Sequence, residues 1–381
     1  MAMNHVRSIP AYQAYLNRRY FGSLDGIRGL AILAVVWHHT APRFGWLPMS
    51  GRGFLGVDMF FVMSAFLIVT LLLRERDRTN AISLEKFYMR RVLRIFPLYY
   101  GIILLFIVLF GVVARSGDMA APFFDALPYY LTYTSNFIDE LTLFTVAWSL
   151  ATEEQFYLFW PPIEKFLSRF LLPIWVGLLF VNQLINYRVL FASYHEHLEI
   201  LQSTFTPILL GVGLAHVLHK RAWFDRFQNA IGQKWMVLVW SAVLLVLFNL
   251  PIADISGTVR LLIQLAMTGF VASAVLQEEN FLVPLFQWKP ILRLGTVSYG
   301  VYLFHMLVAT ISAAILHRAG LTDSASITLF VVVLVGSYII AEVSFRFYET
   351  PFIRLKKRFA SGAKENEPTV VIEKENEPIV Q

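Results

Sequence analysis

Cysteine is absent from the 381-residue chain, which excludes disulfides, thiolate metal ligands and a cysteine nucleophile. Charged residues are scarce as well: they make up 15% of the sequence, against about 25% in soluble domains. Hydrophobic residues make up 57%, so the length does not indicate two or three soluble domains. The composition instead predicts an all-α, polytopic membrane protein.

Ten stretches are long and apolar enough to be membrane spans, which need about 20 such residues. No small-residue cleavage site follows the first stretch, so we expect this span to be retained rather than removed with a signal peptide. The ten predicted spans are 25–42, 54–73, 92–114, 145–165, 170–190, 203–219, 235–250, 258–276, 295–317 and 325–347. The aromatic segment 122–137 is too short to span and is predicted to lie at the interface or to re-enter the bilayer.

The distribution of Lys and Arg predicts the orientation of these spans. Of the 32 Lys and Arg residues, 25 fall in the two terminal segments and in the alternate connections on their side. Five fall in the remaining connections, and Arg28 and Arg260 lie inside spans. This positive-inside pattern places both termini in the cytoplasm. It also explains the net charge of +6 as membrane topology, so no nucleic-acid partner is expected.

Three regions follow from this layout. Residues 1–23 are predicted to be a cytoplasmic N-terminal segment, and 24–358 a single transmembrane domain. Residues 359–381 are polar and repeat the pentapeptide KENEP at 364–368 and 374–378. This composition is typical of a disordered cytoplasmic tail.

The first span, LDGIRGLAILAVVWHHT at 24–40, contains four ionisable residues. Such groups are costly in hydrocarbon and are usually functional. At 100° per residue, Arg28 and His39 share one helix face about 16 Å apart, while His38 points elsewhere. Asp25, three residues before Arg28, is placed to pair with it. The alternative is that Arg28 reaches lipid phosphates and the histidines mark the interface, although imidazole suits proton transfer.

Two further segments carry charge at span ends. Arg90, Arg91 and Arg94 lie at the cytoplasmic mouth of the third span, where the last two share a face and offer two guanidinium groups to one polyanion. Attraction to anionic lipid would explain them equally well. Glu153 and Glu154 enter the fourth span close together. They indicate either a helix end exposed to water or a functional site in the membrane.

Other polar residues near the spans give weaker signals. In the fourth span, Ser149 is predicted to cap the helix, and Tyr157 shares a face with Glu153. Asp58, Ser64 and His305 lie inside spans, where each alone is more often a satisfied polar residue than a catalytic one. The run HEHLE at 195–199 is predicted to be a solvated external loop, and no metal is expected.

Six ordered motifs together resemble the acyltransferase-3 family of integral membrane acyltransferases. They are LDGIRG at 24–29 followed by His39, GVDMFFVMSAF at 56–66, the pair Arg91 and Arg94, WSLATEEQFY at 148–157, SYGVYLFH at 298–305 and FYETPF at 347–352. Ala65 replaces the glycine that is usual in the second motif. Some relatives carry an additional SGNH-type domain, and this chain is expected to lack one.

The resemblance implies transfer of an acyl group, commonly acetyl, from acyl-coenzyme A to a hydroxyl of a cell-surface carbohydrate or glycoside. His39 matches the family's catalytic histidine, and we expect it to act as general base, oriented by Glu153 or else by Glu154. The resemblance also implies a donor site made by Arg28, Arg90, Arg91 and Arg94. Supporting roles would fall to Asp25, Asp58, Ser64, Trp148, Ser149, Tyr157 and His305. Covalent relay through Ser64 or Ser149 is left open.

The expected partners are the lipid bilayer and a carbohydrate acceptor, and the expected location is the inner or plasma membrane, crossed several times. Oligomeric state is not predicted. One alternative function is a proton-coupled transporter or flippase of a glycan or lipid-linked intermediate, because intramembrane Asp, Glu, His and Arg residues also suit such carriers. Another is a non-catalytic component of an envelope complex.

Overall fold

The computed structural model describes residues 11–18, 20–113, 115, 117–138, 142–190, 195–252, 255–321 and 325–359, with side chains left out at 195–204, 356 and 357. These residues form sixteen α-helices joined by short 3-10 and π turns, and no strand occurs among them. The helices are α1 Ala11–Asn17, α2 Gly22–Thr40, α3 Leu55–Thr79, α4 Leu84–Val108, α5 Ala120–Leu131, α6 Ala147–Phe166, α7 Leu171–Asn186, α8 His195–His219, α9 Arg221–Ile231, α10 Met236–Phe248, α11 Gly257–Leu276, α12 Val283–Phe286, α13 Lys289–Thr296, α14 Ser298–Arg318, α15 Ile327–Ser344 and α16 Thr350–Leu355.

Six helical segments in the described part of the chain are long and apolar enough to cross a membrane. They are Leu55–Thr79, Leu84–Val113, Ser168–Asn186, Gly257–Leu276, Ser298–Arg318 and Ile327–Leu355. The bent pairs α1–α2, at 65°, and α9–α10, at 75°, raise the number to eight if each pair is one span. The prediction of an all-helical, multi-span membrane protein is confirmed.

Every predicted span overlaps a helix, but the count of ten and the cytoplasmic termini stay predictions. Helix α6 is rich in charged residues, and the described apolar part of α8, Phe205–His219, is short. Helix α8 begins at His195, so the prediction of a loop over HEHLE is wrong for the backbone, and its side chains lie outside the described residues. The terminal parts 1–10 and 360–381 of the predicted regions are likewise outside them.

Glycines explain how α2 comes so close to its neighbours. A Cβ at Gly29 would collide with the carbonyl oxygen of Ile291, and one at Gly295 with that of Asp25. Glycine at these positions lets α2 and α13 touch backbone to backbone. Gly29 of the LDGIRG motif and Gly295 of α13 thus let the turn of α2 that contains Asp25 and Arg28 lie against α13.

The start of α2 is closed by a residue from the α11–α12 connection. One carboxylate oxygen of Glu278 accepts hydrogen bonds from the backbone N–H and the hydroxyl of Ser23, both at 3.1 Å. A carboxylate at this place satisfies an N–H that the first helical turn leaves without a partner. Burial raises the pKa of the Glu278 carboxyl above its ordinary value.

A buried ion pair joins α3 to α11. Asp58 is 1% exposed and accepts two hydrogen bonds from Arg260, at 2.9 and 2.8 Å, and one from Gln264 at 2.9 Å. The fork of the guanidinium matches the two carboxylate oxygens, which offsets the cost of burying the charges. Asp58 is therefore a satisfied structural residue that fixes the position of α3.

Candidate active site

A cavity of about 1200 Å³ lies among helices α2, α3, α4, α6, α14 and α16. Seven arginines and four acidic residues line it, which leaves a formal surplus of positive charge. They are Arg18, Arg28, Arg74, Arg78, Arg91, Arg94, Arg354, Asp25, Asp77, Glu153 and Glu154. Such a lining suits a ligand with several negative charges.

Arg28 is held in this cavity by Asp25, as its spacing predicts. The Nη1 atom of Arg28 lies 2.6 Å from Oδ1 of Asp25. The other carboxylate oxygen accepts a hydrogen bond from the Tyr20 hydroxyl, also at 2.6 Å. Both oxygens of Asp25 are thus engaged, and the pair fixes the guanidinium at the cavity wall. The prediction that Asp25 and Arg28 pair is confirmed.

The three arginines of α4 divide into two groups. Arg91 and Arg94 line the cavity. The Arg91 guanidinium lies 5.8 Å from the ring centres of Phe87 and Tyr157, and its buried Nε has no hydrogen-bond partner among the described residues. This leaves a buried donor available to a ligand.

Arg90 lies outside the cavity lining. Its Nη2 contacts Glu75 at 3.3 Å, and its Nη1 donates to the carbonyl of Phe359 at 2.9 Å. The assignment of Arg90 to the donor site is therefore corrected. Because the buried carboxylate of Glu75 draws the side chain toward α3, Arg90 ties α4 to α3 instead.

The acidic residues of α6 face the same cavity but have different contacts. Glu153 accepts a hydrogen bond from the hydroxyl of Tyr157, one turn later on the helix. Glu154 lies at the wall near Arg91 and Glu153. Both acids therefore face this cavity, where they can accept hydrogen bonds from the neutral N–H groups of a ligand.

Ser149 does not cap α6, because the helix already begins at Ala147. Its hydroxyl is hydrogen-bonded to that of Tyr302 on α14 at 2.7 Å, and both residues line the cavity. The neighbouring Trp148 packs edge-on against Phe61, with ring centres 6.3 Å apart. Ser64 also lines the cavity, with its hydroxyl 3.3 Å from the Phe61 carbonyl.

Two histidines form a pair beyond Tyr302. His305 is fully buried, and its Nδ1 lies 2.6 Å from the carbonyl oxygen of Tyr302. Its Nε2 lies 3.1 Å from Nδ1 of His39. A carbonyl only accepts, so the neutral His305 carries its proton on Nδ1 and accepts at Nε2. His39 must then donate from Nδ1, which leaves its Nε2 with a free lone pair.

This network corrects the predicted partner of His39. The His39 ring donates its hydrogen bond to His305 rather than to Glu153, which accepts from the Tyr157 hydroxyl instead. The SYGVYLFH segment contains His305, but nothing in the local pattern links it to His39 across 266 residues. His38 is turned away, with its Nδ1 3.1 Å from the carbonyl of Gly51.

The donor-type cavity and the histidine pair are adjacent but separate. Arg28 lines the cavity, whereas His39 and His305 do not, although Arg28 and His39 were expected to share one face. Tyr302 connects the two regions: its hydroxyl faces the cavity through Ser149, and its carbonyl holds His305. The His39 side chain is exposed. Among the described residues, no group of three or more acidic or histidine side chains is arranged to hold a metal ion.

Comparison with known proteins defines the class to which this fold and site belong. The profile of the acyltransferase-3 family, described as an acyltransferase domain, matches residues 21–344, so the chain belongs to this family. No solved structure matches the chain.

Three bacterial proteins illustrate the sequence relatives of this chain. The chain is 29% identical to peptidoglycan O-acetyltransferase OatA of Listeria monocytogenes, over 88% of the chain and 56% of the relative. It is also 29% identical to a putative O-acetyltransferase of Staphylococcus aureus, over 90% and 58% of the two chains. The same identity is found with the putative peptidoglycan O-acetyltransferase YrhL of Bacillus subtilis, over 95% and 60%. The chain thus spans somewhat more than half the length of these relatives.

Proposed function

We propose that this chain transfers an acyl group, in the simplest case acetyl, from acyl-coenzyme A to a hydroxyl of a cell-wall carbohydrate. Membership of the acyltransferase-3 family supports the reaction class, and the relatives described as peptidoglycan O-acetyltransferases support the acceptor class. The observation that carries the proposal is the His39–His305 pair next to an arginine-lined cavity. In this proposal the chain works in the plasma membrane, with the donor on the cytoplasmic side.

The donor is assigned to the cavity of about 1200 Å³. Small-molecule sites commonly have volumes of about 300–1000 Å³, so this cavity is large enough for a long ligand. Coenzyme A is such a ligand, with phosphates at one end and a thin pantetheine arm at the other. Arg91 and Arg94 would hold the phosphates, and Arg28, fixed by Asp25, would contribute further positive charge. Glu153 and Glu154 would accept hydrogen bonds from the neutral N–H groups of the donor.

The chemistry is assigned to the end of the cavity at Ser149 and Tyr302. The thioester carbonyl would lie beside these two hydroxyls, each of which also lies 3.1 Å from the carbonyl oxygen of Val146. We assign as donor to the oxyanion the hydroxyl that turns from the Val146 carbonyl to the ligand. His39 would take the proton of the acceptor hydroxyl at its free Nε2 while the hydroxyl oxygen attacks the carbonyl carbon. The C–O bond forms, the C–S bond breaks, and His39 returns the proton to the leaving thiolate. The products are the acyl ester and coenzyme A.

His305 acts in this scheme as a positioning residue. By accepting the Nδ1 proton of His39, it selects the tautomer whose Nε2 is basic and fixes the plane of the ring. The exposed side chain of His39 gives an acceptor access without passage through the donor cavity. Donor and acceptor would therefore approach from different sides and meet between Tyr302 and His39.

The test uses the full chain purified in detergent, where no gradient exists. Free thiol released from acetyl-coenzyme A is measured with and without soluble peptidoglycan fragments, and the acetyl ester is identified by mass spectrometry. We expect thiol release that the fragments stimulate. A transporter would release no thiol under these conditions, and this result with folded protein would refute the proposal. Labelled acetyl retained on the protein before acceptor is added would indicate a covalent relay through a serine.

A further inference from the structure

The segment 41–54, which joins α2 to α3, is a fixed platform directly after His39. Ser50 is 5% exposed; its hydroxyl accepts from the backbone N–H of Phe44 at 2.8 Å and donates to the carbonyl of Leu47 at 2.7 Å. The indole of Trp37 donates to the Ser50 carbonyl at 3.1 Å. The contact between His38 and Gly51 adds a second tie to the same turn of α2. The segment is thus held in register with the helix end that carries His39.

The other side of the platform is fixed by Arg52. Its guanidinium donates to four carbonyl oxygens at and just beyond the end of α10, at 2.5 to 3.3 Å. These contacts satisfy carbonyls that the last helical turn leaves without partners. Between residues 43–52 and 250–252 lies a second, smaller cavity of about 380 Å³. Both walls of this open depression are held by hydrogen bonds among the described residues.

Arg43 lines this smaller cavity and is exposed. Among the described residues its guanidinium has no hydrogen-bond or ion-pair partner, whereas Arg52 is fully used by carbonyls. Lys and Arg are rare on the predicted outer side, where only five of the 32 occur, so topology does not account for Arg43. A free guanidinium is a bidentate donor for a carboxylate.

Trp46 supplies the second contact surface. Its side chain is 79% exposed, and its ring centre lies 5.8 Å from that of Phe44, which lines the cavity. The C–H face of a sugar ring is apolar, and covering it with an indole removes apolar area of both from water. An exposed indole and an unpaired guanidinium on one rigid segment therefore match a sugar that bears a carboxylate.

We propose that Arg43, the smaller cavity that it lines and the neighbouring Trp46 form an acceptor subsite for an acidic oligosaccharide. The sugar ring stacks on Trp46, its carboxylate binds Arg43, and the chain of sugars extends toward His39. The inference rests on the proposed function for the identity of the acceptor, but the binding itself needs no acyl transfer. It also explains why the platform is tied to the turn of α2 that contains His38 and His39.

The experiment measures binding without any donor. The full chain in detergent is titrated with the disaccharide of N-acetylglucosamine and N-acetylmuramic acid, and with the uncharged N-acetylglucosamine dimer, and Kd is followed by saturation-transfer NMR and calorimetry. We expect the wild type to prefer the acidic disaccharide. Arg43→Gln removes this preference, because it raises the Kd of the acidic disaccharide about ten-fold, the effect expected for loss of one charged hydrogen bond. Trp46→Leu, which keeps an apolar side chain, raises the Kd of both disaccharides about ten-fold.

Matched controls use Arg318→Gln and Phe137→Leu, which change an arginine and an exposed aromatic elsewhere on the predicted outer side. We expect wild-type affinities from both. Equal affinity in Arg43→Gln and wild type for both disaccharides would overturn the proposal. So would a Trp46→Leu variant that binds both sugars normally and only partitions less well into vesicles, because Trp46 would then be an interfacial anchor. Failure of thiol release with intact sugar binding would refute the proposed function and leave the sugar site standing.

Discussion

Replacing His305 tests the network around His39 most sharply. His305 is fully buried, so His305→Phe removes the acceptor of the His39 Nδ1 proton while keeping an aromatic ring. One hydrogen bond contributes a net stabilisation of about 0.5–1.5 kcal/mol. Losing about 1 kcal/mol of it changes the ratio of the two His39 tautomers roughly five-fold. A poorly placed base loses up to about 10²-fold in addition. We expect kcat to fall between about 5-fold and 500-fold.

The assay separates positioning from direct participation. Thiol release is measured with a soluble acceptor, and kcat and the KM for acetyl-coenzyme A are determined separately. We expect the KM to stay near the wild-type value, because His305 does not line the cavity to which we assign the donor. His305→Gln should recover part of the activity, since its amide oxygen can accept the same proton.

Two results would refute this reasoning. Wild-type kcat in His305→Phe would show that the hydrogen bond to His39 has no role in the reaction. A loss larger than that of His39→Ala would show that His305 contacts the reacting atoms itself. Melting temperatures of all variants identify any that fail to fold.

Three other tests address separate parts of the structure. Asp58→Asn should lower the free energy of unfolding by about 3–5 kcal/mol, because Arg260 would lose its buried carboxylate; an unchanged denaturation midpoint would contradict this. Arg94→Gln should raise the KM for acetyl-coenzyme A about ten-fold, whereas Arg90→Gln should not, and the reverse order would place the donor elsewhere. The pKa of the Glu278 carboxyl is raised in the folded chain, so the folded state binds the carboxyl proton more tightly than the unfolded state does. The stability that this protonation contributes is therefore lost as pH rises through the folded-state pKa. Glu278→Gln should remove this loss, and melting temperatures that still depend on pH in the same way would contradict the assignment.

The sequence predicts the membrane class and the local pairs for physical reasons. A bilayer imposes about 20 apolar residues on each span, so composition alone identifies the class. The pair Asp25–Arg28 follows from helix geometry, since residues three apart are neighbours. The number of spans is harder to predict, because α6 is rich in charged residues and the pair α9–α10 is bent.

Contacts between distant segments could not be predicted in the same way. His39 and His305 are 266 residues apart, and helical periodicity says nothing about which helices meet. Arg90 and Arg94 lie on one helix, yet Glu75 of α3 draws the first away from the cavity. Sequence patterns place helix ends only to within a few residues. Helix α6 begins at Ala147, two residues before Ser149, so Ser149 lies inside the helix and does not cap it.

The central claim is that His39 is the base of an acyl transfer, and its neighbour His38 provides the matched control. Thiol release and acetyl-ester formation are measured for wild type, His39→Ala and His38→Ala with acetyl-coenzyme A and peptidoglycan fragments. We expect a loss of about 10²–10⁴-fold in His39→Ala and activity within a few-fold of wild type in His38→Ala. Equal ester formation by His39→Ala and the wild type would contradict it.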